Sequence, residues 1–72
     1  MHTKQELIEE LNLIRGVVAT EEKIHLRLLD NVIKFSRVKD WTTDKEKIII
    51  LGDTFKATIH KTGRYTIERN VR

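Results

Sequence analysis

The chain contains no cysteine and no proline, and its 72 residues include only three glycines and four aromatic residues. Without cysteine, disulfides, thiolate zinc sites, iron–sulfur clusters and cysteine nucleophiles are excluded. The longest uninterrupted apolar run, residues 48–51, has four residues, whereas a membrane-spanning helix needs ~20. The glycines are too scattered to form a phosphate-binding loop, and an aromatic content of 6% is too low for a base-stacking surface.

Length and charge place the chain among small single domains, here residues 1–72. A domain of this size has a thin core, and such domains often rely on a metal or a second copy for stability.

Residues 1–33 carry a net charge of −2 and residues 34–72 carry +5. The basic half suggests phosphates or acidic partners, although interleaved acids also fit an ordinary solvated surface. Glutamates stand near the N-terminus where a signal peptide would be apolar, so we expect a cytoplasmic protein.

The first half of the chain predicts a helix. Thr3 and Glu6 have the spacing of a capping box, in which each side chain binds the backbone amide of the other residue. Apolar residues then recur at intervals of three and four. These residues are Leu7, Leu11, Ile14, Val18, Ile24, Leu28, Val32 and Phe35. We therefore predict one helix over about 4–38, either continuous or broken into a hairpin near Gly16–Thr20, and a linker over about 39–45.

The second half has the alternating pattern of β-strands. It predicts an antiparallel three-stranded meander with strands at about 46–51, 54–60 and 64–70 and an overall α+β fold. Gly52–Asp53 fits a two-residue type II′ turn, and Gly63 fits the left-handed position of a three-residue loop. These turns place Leu51 opposite Thr54 and His60 opposite Arg64. One face is then apolar, and its residues are Ile48, Ile50, Phe55, Ala57, Ile59, Tyr65 and Ile67.

The predicted dimensions favour a homodimer. A helix of 35 residues is about 52 Å long, and a sheet of three short strands, about 20 Å by 14 Å, covers less than half of it. Strand 46–51 would also be an uncovered edge. A two-fold dimer shields both surfaces, whereas a monomeric helical hairpin on the sheet is the alternative. The predicted dimer contacts are Ile24, Leu28, Val32, Phe35, Ile49 and Leu51.

The order of helix, Gly-Asp hairpin and basic third strand resembles the Yopt-type hypothetical protein family of Bacillus prophages. The resemblance covers essentially the whole chain through its size and overall pattern. It implies a homodimer with one helix and three strands per monomer, together with a prophage context. It implies no activity and no site.

No constellation of residues points to catalysis. Ser36 is the only serine and has no nucleophile-elbow setting. The histidines, His2, His25 and His60, lack the spacing that directs two imidazoles at one metal. We therefore expect no catalytic residues, no metal, no cofactor and no enzymatic activity. Trp41 lies in the predicted linker, where it either folds over the end of the core or serves as a binding anchor.

The polar face of the predicted meander is the candidate binding face. In the predicted register Lys56, His60 and Arg64 are diagonal neighbours there, and such a face can contact phosphates or acidic protein groups. Two functions follow as hypotheses. The first is a non-enzymatic homodimeric protein-interaction module that binds itself and an unknown phage or host protein. The second is a weak, sequence-nonspecific nucleic-acid-binding dimer that uses the basic half.

Overall fold

Strands make up most of the computed structural model, which describes residues 3–69. A single α-helix, α1 (Lys4–Asn12), precedes two antiparallel sheets. The first has the strand order β1-β2-β3, with β1 at Val17–Ala19, β2 at Lys23–Leu26 and β3 at Asn31–Lys34. The second has the order β4-β5-β6-β7, with strands at Val38–Thr43, Lys47–Gly52, Phe55–His60 and Tyr65–Arg69. Short 3₁₀ turns occupy Arg27–Leu29 and Phe35–Arg37.

Helix α1 begins where the sequence predicts but is only nine residues long. The capping box is confirmed, because the Glu6 amide donates to Thr3 Oγ1 at 3.2 Å and the Thr3 amide donates to Glu6 Oε1 at 3.4 Å. After Leu13 the chain turns, and Gly16 has a φ of 81°, which glycine adopts without steric cost. The predicted helix over 4–38, continuous or broken into a hairpin, is therefore wrong.

Residues 17–34 form the small sheet instead of the predicted helix. Their apolar residues fit a strand as well as a helix: Ile24 and Leu26 alternate with Lys23 and His25, and both apolar side chains are buried. The β2–β3 connection reverses the chain through Asp30, whose φ of 53° is left-handed. Short apolar runs cannot be assigned to helix or strand by periodicity alone, and here the strands place Ile24, Leu26 and Ile33 in the common core.

The predicted linker is wrong as well, because most of 39–45 belongs to β4. Trp41 of β4 lies directly opposite Ile50 of β5, and both side chains are buried. Strand β5 is therefore an inner strand, covered by the chain's own β4, and the predicted three-stranded meander is wrong. Strands β5, β6 and β7 lie at the positions of the three predicted strands, although residue 70 is outside the described residues.

The two predicted turns of this sheet had different outcomes. The left-handed glycine is confirmed, since Gly63 has a φ of 101° and Ile59 lies opposite Tyr65 as expected. The type II′ turn at Gly52–Asp53 is wrong, because Leu51 pairs with Lys56 and the turn lies at Asp53–Thr54. The β5–β6 register thus differs from the predicted one by two residues, and a shift of two keeps every side chain on its face.

One hydrophobic core joins α1 to the inner faces of both sheets. The predicted apolar face is confirmed: five of its residues are buried, and Tyr65 and Ile67 pack against the core half-buried. The exposed helical stripe that motivated the dimer prediction does not exist, so that argument for a dimer fails. Within residues 3–69, no helix has the length and apolar character to span a membrane.

Candidate functional site: three exposed surfaces

The predicted binding face is only partly assembled on the outer face of the large sheet. His60 lies directly opposite Lys47, and its amide donates to the Arg64 carbonyl at 2.7 Å. These three residues form a row across one end of the sheet, named here the basic row. Lys56 is four residues along β6, about 13 Å away at the usual strand rise, and it faces Glu68. The sequence therefore located His60 and Arg64 but not their neighbour Lys47.

A carboxylate beside the basic row reduces its positive field. Asp44 Oδ1 accepts hydrogen bonds from the amides of Glu46 at 2.8 Å and Lys47 at 3.1 Å. These amides, together with the charges of Lys47 and Lys61, hold the pKa of Asp44 below its ordinary value of 3.8. Asp44 is therefore ionised near neutral pH, and the basic row carries less net charge than its residues suggest.

The predicted dimer contacts divide into buried and exposed residues. Ile24 has an exposed fraction of 0% and lies in the core of its own chain, so its prediction as a dimer contact is wrong. Phe35 and Ile49 are half-buried. Leu28, Val32 and Leu51 are exposed. Val32 lies in β3 of the small sheet, Leu28 lies in the turn before it, and Leu51 lies in the large sheet.

The outer face of the small sheet carries an apolar surface that includes two of these contacts. Val18 lies opposite His25, which lies opposite Val32, so the three side chains form one row across the strands. His25 Nε2 is 2.7 Å from Asp30 Oδ1, which brings the β2–β3 connection towards this row. With Leu28 and Leu29 of that connection, Val18 and Val32 form what we name the apolar patch. Their exposed fractions are 44% for Val18, 70% for Leu28, 71% for Leu29 and 51% for Val32.

A cleft of about 970 Å³ opens beside the small sheet and is named here the aromatic cleft. Its apolar walls come from α1, from β3 and the 3₁₀ turn after it, and from β4; the residues are Leu7, Val32, Phe35, Val38 and Trp41. The charged residues that line it are Lys4, Lys23, Lys34, Lys39, Glu21, Glu22 and Asp40. Lys4 Nζ is 4.8 Å from the centroid of the Phe35 ring, a distance at which a cation and a ring attract each other.

Sequence reasoning missed the aromatic cleft because distant segments form it. The sequence predicts that Trp41 lies in a linker, whereas the structure places it in β4. No local pattern brings Lys4 to Phe35, since 31 positions separate them. Only the assignment of this segment to a strand would have predicted that the Trp41 side chain faces the core.

The described residues offer no metal centre. Within the range 3–69, no group of three or more histidine, aspartate or glutamate side chains is close enough to hold a metal ion. His2 lies outside that range. His25 has Asp30 as its partner, and His60 belongs to the basic row.

Comparisons with protein-family models, with curated proteins and with solved structures found no match for this chain. The surfaces of the structure therefore carry the functional argument.

Proposed function

We propose that this protein is a non-enzymatic homodimeric protein-interaction module whose copies associate through the apolar patch. The observation that carries the proposal is the exposure, 44–71%, of four large aliphatic side chains, two on the outer face of the small sheet and two in its β2–β3 connection. The rest of the small sheet's apolar side chains are buried in the core. Groups of large apolar side chains left exposed in this way typically mark interaction sites.

A second copy suits the apolar patch because its central row is self-complementary. The Val18–His25–Val32 row runs across the strands. A two-fold axis parallel to this row would lay each valine over its counterpart at the usual sheet-to-sheet distance of about 10 Å. The His25 ring in the middle already has Asp30 as a hydrogen-bond partner, which lowers the cost of covering it.

The test is the mass of the protein in solution, measured by light scattering. We expect the wild type at about twice the 8.5 kDa of one chain, and Leu28→Asp at the mass of a single chain with an unchanged circular-dichroism spectrum. The variant keeps its fold because Leu28 is exposed, whereas a charge in the dimer contact would be desolvated. Leu13→Asp is the matched control, since Leu13 is 82% exposed at the end of α1 and outside the patch. A wild-type mass near 8.5 kDa refutes the proposal.

The proposal also covers the partner protein and the cellular compartment. We propose a phage or host protein as the partner, as the resemblance to the Yopt-type family implies; the architecture that the resemblance also implied, three strands per monomer, differs from the seven strands of the described residues. The lack of cysteine suits the cytoplasm, where disulfides are rare.

A second candidate, weak nucleic-acid binding, is favoured by the basic row alone. Lys47, His60 and Arg64 lie side by side and can contact successive phosphates without reading sequence. Binding to random duplex DNA should then weaken steeply as salt is raised, and Arg64→Gln should weaken it more than Lys56→Gln. The absence of binding at low salt would remove this candidate.

A further inference from the structure

The two sheets have four edge strands, and the chain covers two of them itself. At the β1 edge, the Val17 amide donates to the Ile14 carbonyl at 3.2 Å. Also at this edge, the Asn12 side chain binds the main chain of Ala19: Oδ1 accepts from the Ala19 amide at 2.8 Å, and Nδ2 donates to the Ala19 carbonyl at 3.0 Å. At the β4 edge, the Trp41 amide donates to the carboxylate of Asp40 at 2.8 Å.

Among the described residues, β3 and β7 have no such hydrogen bond at their outer edges, and of these two strands only β3 borders the aromatic cleft. The Phe35 amide donates to the Glu22 carbonyl at 2.9 Å, and hydrogen-bonded pairs alternate in an antiparallel ladder. With the observed register, Asn31 and Ile33 therefore bond to β2, whereas the amides and carbonyls of Val32 and Lys34 point away from it. In the part of the chain that the structure describes, β3 pairs with no strand other than β2.

Cavities lie along this uncovered edge. Val32 and Lys34 both line the aromatic cleft, and Val32 also lines a smaller groove of about 180 Å³ between β3 and β7. Across the groove, the Asn31 side chain donates to the Tyr65 hydroxyl at 2.9 Å. The edge of β3 thus offers main-chain hydrogen bonds beside space for side chains, which is what the addition of an extended peptide strand requires.

The charges around this edge favour an acidic occupant. Four lysines line the cleft against three carboxylates, and one of these, Asp40, is engaged by the Trp41 amide. The smaller groove is lined by Arg37 and Arg69; Arg37 already pairs with Asp53 at 3.2 Å, so Arg69 supplies the positive charge there. Lys34, on the edge itself, opposes pairing with a second basic copy of the same edge. The occupant that complements this surface is an acidic segment of another protein.

We propose that the β3 edge binds a segment of a partner protein by strand addition. The segment is extended and carries both acidic and apolar side chains. The main chain of the segment pairs with Val32 and Lys34, its apolar side chains enter the aromatic cleft, and its carboxylates face the lysines. This inference names the partner class for the interaction function proposed above and rests on that function. It does not depend on the dimer, because the pairing uses the main chain of the β3 edge. Val32 is the one residue of the apolar patch that also lines the two cavities, whereas Val18, Leu28 and Leu29 line neither of them.

The experiment uses Trp41, the only tryptophan of the chain, as its reporter. The probe is a short acetylated and amidated peptide of alternating glutamate and valine, titrated into the wild-type protein while tryptophan emission is recorded. The control peptide replaces every glutamate with lysine and keeps the valines. We expect saturable binding of the acidic peptide and a shift in Trp41 emission, with little binding of the basic peptide. Lys34→Glu should weaken the acidic peptide about threefold, and Lys56→Glu, on the outer face of the large sheet, should not.

A second pair of probes tests strand pairing without altering the protein. One acidic peptide carries N-methyl groups at its odd-numbered residues and the other at its even-numbered residues. Because only alternate amides of an added strand face the edge, one of the two peptides should lose at least about fivefold in affinity, and the other should bind nearly as the parent does.

Each outcome separates this inference from the proposed dimer. Equal binding of the two N-methylated peptides, or no binding of the acidic peptide, overturns strand addition whatever the mass measurement gives. Displacement of the peptide by random duplex DNA would also overturn it, because the cleft would then be a polyanion site. A monomeric wild type that still binds the acidic peptide would refute the dimer and leave the inference standing.

Discussion

Replacing Gly52 with alanine should destabilise the protein because the ring of Phe55 occupies the space of the new methyl group. The two residues are directly opposite at the β5–β6 turn. A Cβ built on Gly52 would lie 2.0 Å from Phe55 Cε1, 2.3 Å from Cζ and 2.4 Å from Cδ1. The ring cannot move away freely, since Phe55 is a buried core residue and the Arg37 guanidinium carbon lies 5.3 Å from its centroid.

The size of this effect follows from the cost of overpacking a core. Adding a methyl group to a filled site costs about 2 kcal/mol of unfolding free energy. For a domain of this length, that cost lowers the melting temperature by about 8–16 °C. The assay is thermal and urea unfolding, followed by circular dichroism, of Gly52→Ala, Phe55→Leu and the double variant. In the Phe55→Leu background the alanine should cost much less, so the two changes should couple by at least about 1 kcal/mol.

A second glycine supplies the control. A Cβ on Gly16 would meet no atom within 4 Å, but the residue has a φ of 81°. Gly16→Ala should therefore cost about 1 kcal/mol through backbone strain alone, and this cost should be the same with Phe55 or Leu at position 55. The reasoning is refuted if Gly52→Ala unfolds like the wild type, or if its cost is unchanged when the ring is removed.

Two further predictions concern hydrogen bonds seen only in the structure. Asn12→Ala should lower the free energy of unfolding by about 1–3 kcal/mol, because it leaves the Ala19 amide and carbonyl without their partner; urea unfolding that matches the wild type would contradict this. The hydrogen bond from Arg37, with its charge, holds the pKa of Asp53 below the ordinary 3.8. A folded-state pKa below the unfolded one stabilises the fold above the unfolded value, and this stabilisation is lost as pH falls below about 4. Asp53→Asn should therefore flatten the loss of melting temperature between pH 5 and pH 2, whereas an unchanged profile would show that Asp53 contributes nothing.

The sequence by itself determined the start of α1 and the buried face of the large sheet. The Thr3–Glu6 capping box is a local interaction, so its spacing suffices to locate it. The alternation of apolar residues from Ile48 to Ile67 likewise specifies which side chains are buried. The prediction of the buried face holds even though the predicted β5–β6 register was wrong by two residues, because side chains on a strand have a period of two.

Only the tertiary structure decided between helix and strand for residues 17–34. Ile24, Leu28 and Val32 satisfy a helical spacing, but the stripe needed a surface to cover it, whereas alternation lets Ile24, Leu26 and Ile33 enter the core that α1 and the large sheet provide. The tertiary structure also makes the predicted linker part of β4, and its described residues contain no long helix of the kind from which the dimer was first predicted. It also brought Lys4 beside Phe35 and left the β3 edge open. Such contacts between distant segments depend on how the sheets pack, which no local pattern encodes.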